Sequence, residues 1–250
     1  MASAKALRIK LFADGAELEH VATLCQNPLI QGFTTNPTLM RKANVQDYRA
    51  FAMKFLELAA GRPVSFEVFS DDFQEMEQQA LELASWGEAV YVKIPVTNTL
   101  GEFSGPVIRR LSAAGVKLNV TALLTVEQVQ KVADSLSDRA RSIISVFAGR
   151  IADTGRDPVP MMAEAVQRLA AQPKVELLWA SPRQLLNIFQ ADAIGCHIIT
   201  ATSDVLGKLP LVGKDLDAFS LETVQMFRRD ALASGLTIEM GSGTISGSRH

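Results

Sequence analysis

Lys93 sits in the run AVYVKIPV, residues 89–96, where its neighbours are apolar or aromatic. An ammonium buried in such a run without a counter-charge is costly, so the group either finds a carboxylate or loses its proton. A lysine that loses its proton near neutral pH is a nucleophile toward a carbonyl carbon. The competing reading is a lysine at an exposed strand end, its stem on apolar surface and its amine in water. Asp14 and Glu67 are the two acidic groups expected inside the same site. Carboxylates in a low-dielectric site can hold different protonation states, as the proton transfers of amine–carbonyl chemistry require. Equally, one of them can simply pair with Lys93; both readings put them near the lysine. Arg150, in VFAGRIAD, and Arg183, in SPRQLLNI, are cations of the kind that fix a phosphate. Taken singly, each arginine fits a surface salt bridge as well.

The elements that would position these groups are strand-like runs alternating with longer amphipathic stretches. The runs are Arg8–Ala13, Leu29–Phe33, Val64–Phe69, Ala89–Ile94, Lys117–Thr121, Ser142–Phe147, Val175–Trp179 and His197–Thr200. Between them the apolar residues recur at helical spacing, as with Phe73, Met76, Ala80, Leu83 and Ala84, or Val126, Val129, Val132, Ala133 and Leu136. Thr125 with Gln128 predicts a capping box. Pro158, Pro182 and Ser203-Asp204 predict helix starts, and Gly87 and Gly115 helix stops. Eight such units predict a closed (β/α)8 TIM barrel, α/β in class, with a doubly wound open sheet as runner-up. No GxGxxG follows the first strand, which weighs against the open sheet. Residues 215–233 predict an extra C-terminal amphipathic helix with Leu216, Phe219, Val224, Phe227 and Leu232 as apolar positions. Periodicity leaves open whether it covers its own barrel or packs on a neighbour in a homo-oligomer. Neither a repeat nor a Pro/Gly/Ser linker divides the chain, so residues 1–240 are read as one domain. Residues 241–250 are read as a flexible tail, SGSRH resembling part of an expression tag.

Barrel strands send alternate residues inward, and active sites lie at their C-terminal ends. The polar residues late in each run are therefore the candidate site. They are Asp14; Thr34, Thr35 and Asn36; Glu67, in phase with Ser65 and Phe69; and Lys93, in phase with Tyr91. Asn119 and Thr121 follow, then Ser145, in phase with Phe147, and Ser181 with Arg183 just beyond. Each has a structural reading: Asp14 a helix cap, Asn36 a turn residue, Thr121 an ordinary β-branched strand residue, Ser145 a small core residue. Seven strands contributing polar groups toward one end argue for convergence on one cavity.

Bulk properties exclude other classes. The net charge of −2, with both signs mixed along the chain, gives no basic field for nucleic acid. Cys25 and Cys196 lack CxxC spacing and read as buried hydrophobes, not as a disulfide framework or a zinc site. His20, His197 and His250 are scattered and form no triad with a serine. No apolar run approaches the length of a membrane span, and MASAKALRIKLF is too short in apolar content for a signal peptide. A cytoplasmic location without membrane contact is expected.

The segment GFTTNPTLM, residues 32–40, resembles the N-terminal signature of the transaldolase family. VYVKIPVT is similar to the segment around that family's Schiff-base lysine, and NVTALLT, SVFAGRIAD and WASPRQLLNI match further segments in order, over residues 7 to 210. The resemblance implies class I chemistry on sugar phosphates without metal or organic cofactor. Lys93 would attack the ketose carbonyl and hold a dihydroxyacetone unit. Asp14 would be the acid–base group, and Glu67 with Thr121 would position a catalytic water. Asn36, Asn119 and Ser145 would bind the dihydroxyacetone portion, and Arg150, Ser181 and Arg183 the phosphate. Glu67 and Phe147 resemble true transaldolases, whereas fructose 6-phosphate aldolases of the family have Gln and Tyr there. The implied activity is transfer from fructose 6-phosphate or sedoheptulose 7-phosphate to an aldose phosphate. The alternatives are a fructose 6-phosphate/dihydroxyacetone aldolase, an enzyme for an unusual ketose, and a sugar-phosphate-binding protein without turnover. Gly15, where the family has Thr or Ser, and NTLGEFSG after the lysine depart from the pattern and leave the natural sugar open.

Overall fold

The computed structural model describes residues 7–238; the expected tail from 241 lies outside them. These residues fall into two compact units, one ending at Pro210 and one beginning at Leu211.

The first unit is a closed barrel of eight parallel strands paired in sequence order: β1 (Lys10–Asp14), β2 (Ile30–Thr34), β3 (Val64–Glu67), β4 (Val90–Pro95), β5 (Leu118–Leu123), β6 (Ser142–Val146), β7 (Val175–Trp179) and β8 (Ile198–Ala201). β8 returns to β1, with Leu11 opposite Ile199 and Ala13 opposite Ala201. The helices are α1 (Leu18–Cys25), α2 (Pro37–Lys42), α3 (Tyr48–Ala59), α4 (Phe73–Ser85), α5 (Gly105–Ala113), α6 (Val126–Ala133), α7 (Ala148–Ala152), α8 (Val159–Leu169), α9 (Leu186–Ala193) and α10 (Ser203–Leu206). The second unit contains α11 (Leu216–Ser234), capped by the Asp215 side chain on Ala218 N. No residue of α11 is buried, and Leu216, Phe219, Val224, Phe227 and Leu232 are all exposed. Among the described residues, no helix is long and apolar enough to cross a membrane.

Period-two alternation splits the strands between two packed layers. One phase supplies Val64, Phe66, Val92, Ile94, Leu118, Val120, Ile144 and Val146 to the layer beneath the helices. There Phe33, Phe55 and Phe66 meet edge to face at 5.5 and 6.0 Å between ring centres. The other phase fills the barrel with Phe12, Tyr91, Ile143, Leu178 and Ile198. Gly32 belongs here, because a Cβ would overlap the Phe12 ring.

Most helix signals stand where expected. Thr125 and Gln128 form the capping box of α6, Pro158 is the N-cap residue of α8, and Gly115 takes φ +86° just past α5. Two expectations fail. Pro182 does not start a helix: α9 begins at Leu186, because Asn187 Oδ1 accepts from Arg183 N (2.8 Å) and Gln184 N (3.0 Å) and holds the intervening residues as a turn. β3 stops at Glu67, short of Phe69. Phe69 N (2.7 Å) and Ser70 N (3.0 Å) both donate to Gln79 Oε1, which turns the chain toward α4 and leaves Phe69 56% exposed.

Candidate functional site

The inward phase turns polar at the C-terminal end of nearly every strand, above the apolar plug of the barrel. A cavity of about 450 Å³ opens there, lined by Asp14, Thr34, Asn36, Glu67, Lys93, Asn119, Thr121, Ser145, Phe147, Arg150, Ser181 and Thr200 among others.

Lys93 is on the inward phase of β4 and only 6% exposed. It resolves its burial by pairing: Nζ lies 3.1 Å from Glu67 Oε2 and donates to the Thr35 carbonyl at 2.9 Å. The pair follows from strand register, since Glu67 and Lys93 are Cα partners across β3 and β4. Asp14, at the end of β1, does not cap α1. It accepts from Thr34 Oγ1 at 2.7 Å, and that hydroxyl lies 2.6 Å from Thr200 Oγ1. Burial pushes the Asp14 carboxyl above its ordinary value; the Lys93 charge and the Thr34 bond oppose this, and Glu67 adds to it. The two carboxylates thus sit in unlike surroundings, one against an ammonium and one among hydroxyls.

Asn119 joins β3 to β6, donating from Nδ2 to Ser65 Oγ (2.9 Å) and accepting from Ser145 Oγ (2.6 Å). Thr121 Oγ1 is buried at the cavity wall and makes no hydrogen bond to the protein. Asn36 has two roles, lining the cavity and capping α2 through Leu39 N at 2.9 Å.

Two of the four non-glycine residues at positive φ among those described stand at the rim. Ala122 (φ +68°) and Ser181 (φ +58°) both line the cavity in a left-handed conformation that disfavours a side chain. Ser181 is held by contact with Gly149, where any Cβ would collide with the Ser181 carbonyl. Phe147 and Arg150 bracket the same corner, the guanidinium 5.1 Å from the ring centre. Arg183 is not on the lining; its guanidinium pairs with Asp153 at the exposed edge, with Nε 3.1 Å from Oδ1. Of the residues expected from sequence, the cavity brings together all but Thr35, whose carbonyl meets Lys93, and Arg183. It adds Thr200, which reaches Asp14 through the Thr34 hydroxyl, and Thr200 was findable by the strand-end rule applied to β8.

A family model described as transaldolase/fructose-6-phosphate aldolase matches residues 11–239. The chain is similar to a probable transaldolase of Methanococcus maripaludis, 31% identical over 215 residues covering 84% of this chain and 95% of that one. A probable transaldolase of Lactiplantibacillus plantarum is 32% identical over 216 residues, 85% and 95% of the two chains. Among solved structures, 2,3-dimethylmalate lyase aligns with TM-score 0.56 at 17% identity over 96% of this chain and 91% of that one. A putative phosphonomutase from Burkholderia cenocepacia aligns with TM-score 0.54 at 10% identity over 89% and 94%. These two share the fold alone.

Proposed function

The chain belongs to the transaldolase/fructose-6-phosphate aldolase family, and we propose that within it the protein is a transaldolase that moves a dihydroxyacetone unit from a ketose phosphate to an aldose phosphate through a Schiff base on Lys93. The observation that carries this reading is the single cavity in which Lys93 meets Glu67 at 3.1 Å and which Asp14 also lines.

Each step has a group suited to it. Glu67 takes a proton from the Lys93 ammonium, the free amine adds to the ketose C2 carbonyl, and a C–N bond forms. Glu67 returns its proton to the carbinolamine hydroxyl, directly or through a water near Thr121, and that hydroxyl leaves as water to give the iminium. Asp14 then takes the proton of the C4 hydroxyl, the C3–C4 bond breaks, and its electron pair flows into the iminium as an enamine. The aldehyde departs. A carboxyl raised by burial suits this role, because it holds the proton it has taken. Transfer to the acceptor aldehyde runs the same steps backwards. Asn119 and Ser145 offer a donor and an acceptor to the three-carbon unit. Arg150 and Ser181 meet the phosphate, with Arg183 joining them by leaving Asp153.

Phe147 favours transferase over aldolase. A phenol at that corner could protonate the enamine or hold a hydrolytic water; a phenyl ring does neither, so the three-carbon unit waits for an aldehyde. Phosphorylated sugars do not cross membranes unaided, which supports a cytoplasmic location.

The test is to incubate the protein with fructose 6-phosphate, reduce with borohydride, and weigh the peptides. A three-carbon adduct on the peptide holding Lys93, discharged when erythrose 4-phosphate is added before reduction, is the expected result. A folded protein that forms no adduct with any of a panel of ketose phosphates would sink the proposal.

A further inference from the structure

We propose that Tyr48 is a positioning residue for the Glu67–Lys93 pair, acting through its hydroxyl on the backbone of Glu67; the proposal rests on the roles given to that pair above. Tyr48 opens α3 and lies outside the cavity lining.

The argument begins with a missing rung. β2 and β3 pair with Phe33 opposite Val64 and Thr34 opposite Ser65. Phe33 N donates to the Pro63 carbonyl at 2.8 Å, and Thr35 N to the Ser65 carbonyl at 3.2 Å. In a parallel ladder the next rung would run from Glu67 N–H to the Thr35 carbonyl. Instead Glu67 N donates to the Tyr48 hydroxyl at 2.9 Å, and that hydroxyl donates to the Glu67 carbonyl at 3.1 Å. One phenol therefore takes both backbone groups of Glu67. The Thr35 carbonyl, relieved of its rung, accepts from Lys93 Nζ at 2.9 Å. The hydroxyl thus sets where the Glu67 carboxylate stands and leaves the lysine its second acceptor.

The phenol is well held. Its ring lies 4.8 Å from Phe69 and meets Trp86 and Phe66 edge to face at 5.3 and 6.1 Å. Asp47 caps the turn that Tyr48 opens, accepting from Ala50 N at 2.9 Å. Burial raises the phenol above its ordinary pKa, so it stays neutral and can accept and donate together. Removal of the hydroxyl leaves the Glu67 amide and carbonyl to seek other partners, with the Thr35 carbonyl the nearest acceptor in the ladder's own geometry.

The test is Tyr48→Phe, which keeps the ring among its aromatic neighbours, beside Phe69→Leu, which loosens those neighbours and keeps the hydroxyl. Two readouts are taken. Steady-state kinetics separate kcat from KM, and the rate of reductive methylation at Lys93, read by peptide mass at fixed pH without substrate, reports the amine's surroundings. Misplacing a reacting group by a fraction of an ångström predicts a kcat lower by about tenfold in Y48F, KM within about twofold, and a Lys93 labelling rate changed by at least about threefold. Phe69→Leu is expected to leave both readouts near wild type. Unchanged labelling in Y48F overturns the proposal whatever kcat does, as does an equal loss in Phe69→Leu, which would assign the effect to ring packing. If wild-type protein traps no ketose phosphate, the catalytic reading fails, and labelling alone decides whether Tyr48 positions the pair.

Discussion

Glu67 and Lys93 face each other through backbone and side chain alike: they are Cα partners across β3 and β4, and Oε2 stands 3.1 Å from Nζ. A one-residue slip of either strand would turn its member of the pair into the layer beneath the helices. The fold and the ion pair therefore specify one another.

Lys93→Ala is expected to fold and to lose turnover and borohydride trapping together. It strands Glu67, only 17% exposed at its side chain, without a counter-charge. Breaking a buried pair costs about 3 kcal/mol at the low end of the usual range, which fits a group still partly in reach of water. Lys93→Met with Glu67→Gln should recover much of that stability and none of the activity. Denaturant melts check the first claim and intact-mass trapping the second.

Asp14→Asn separates catalysis from stability. Losing the acid–base group should lower kcat by about 10²–10⁴-fold. The stability change has the opposite sign. Because burial raises the folded-state pKa, the folded chain binds more protons than the unfolded chain between the two values. Wild-type stability therefore falls as pH rises through that window. The amide escapes this loss, so D14N should melt higher than wild type at neutral pH. The gain should vanish as pH drops below the ordinary carboxylate range. A variant less stable than wild type at pH 7 would contradict the reading of Asp14.

Phe147→Tyr should raise the release of free dihydroxyacetone relative to transfer, because a phenol at this corner can deliver a proton to the enamine. An enzyme-coupled assay for dihydroxyacetone, with and without an aldose acceptor, measures the ratio. No rise in the ratio would remove Phe147 from the partition.

Arg183→Ala should raise KM for phosphorylated sugars several-fold while leaving unphosphorylated analogues nearly unchanged. Its partner Asp153 is half exposed, as is Arg183 itself. Surface pairs contribute about 0–1 kcal/mol, so the melting temperature should hardly move. Equal effects on both substrate classes would detach Arg183 from phosphate recognition.

Much of this molecule was legible in its sequence, for reasons particular residues show. Each strand was located within two residues, because the runs are β-branched and the helical spacing between them differs. Lys93 and Glu67 were legible because a charge inside an apolar run must find a partner. Tyr48 was not, since its partner is a backbone N–H and C=O that carry no residue code. Ser181 and Ala122 at positive φ were likewise hidden, as neither is a residue that advertises a left-handed turn. The start of α9 was misplaced because Pro182 is a helix-start signal by local rule, and the Asn187 amide overrode it through two bonds to backbone.

The seam between β8 and β1 carries a consequence for the chain during synthesis. Thr200 reaches Thr34 and, through it, Asp14, so the hydroxyl cluster around Asp14 needs residues near both ends of the barrel's sequence. A ribosome-bound or truncated chain already holds Lys93 and Glu67 yet lacks that corner until β8 emerges and seals the seam. On the proposed mechanism, a chain that stops short of β8 therefore lacks the Thr200 hydroxyl that closes the surroundings of Asp14, and the corner is completed only by the last strand of the barrel to be made.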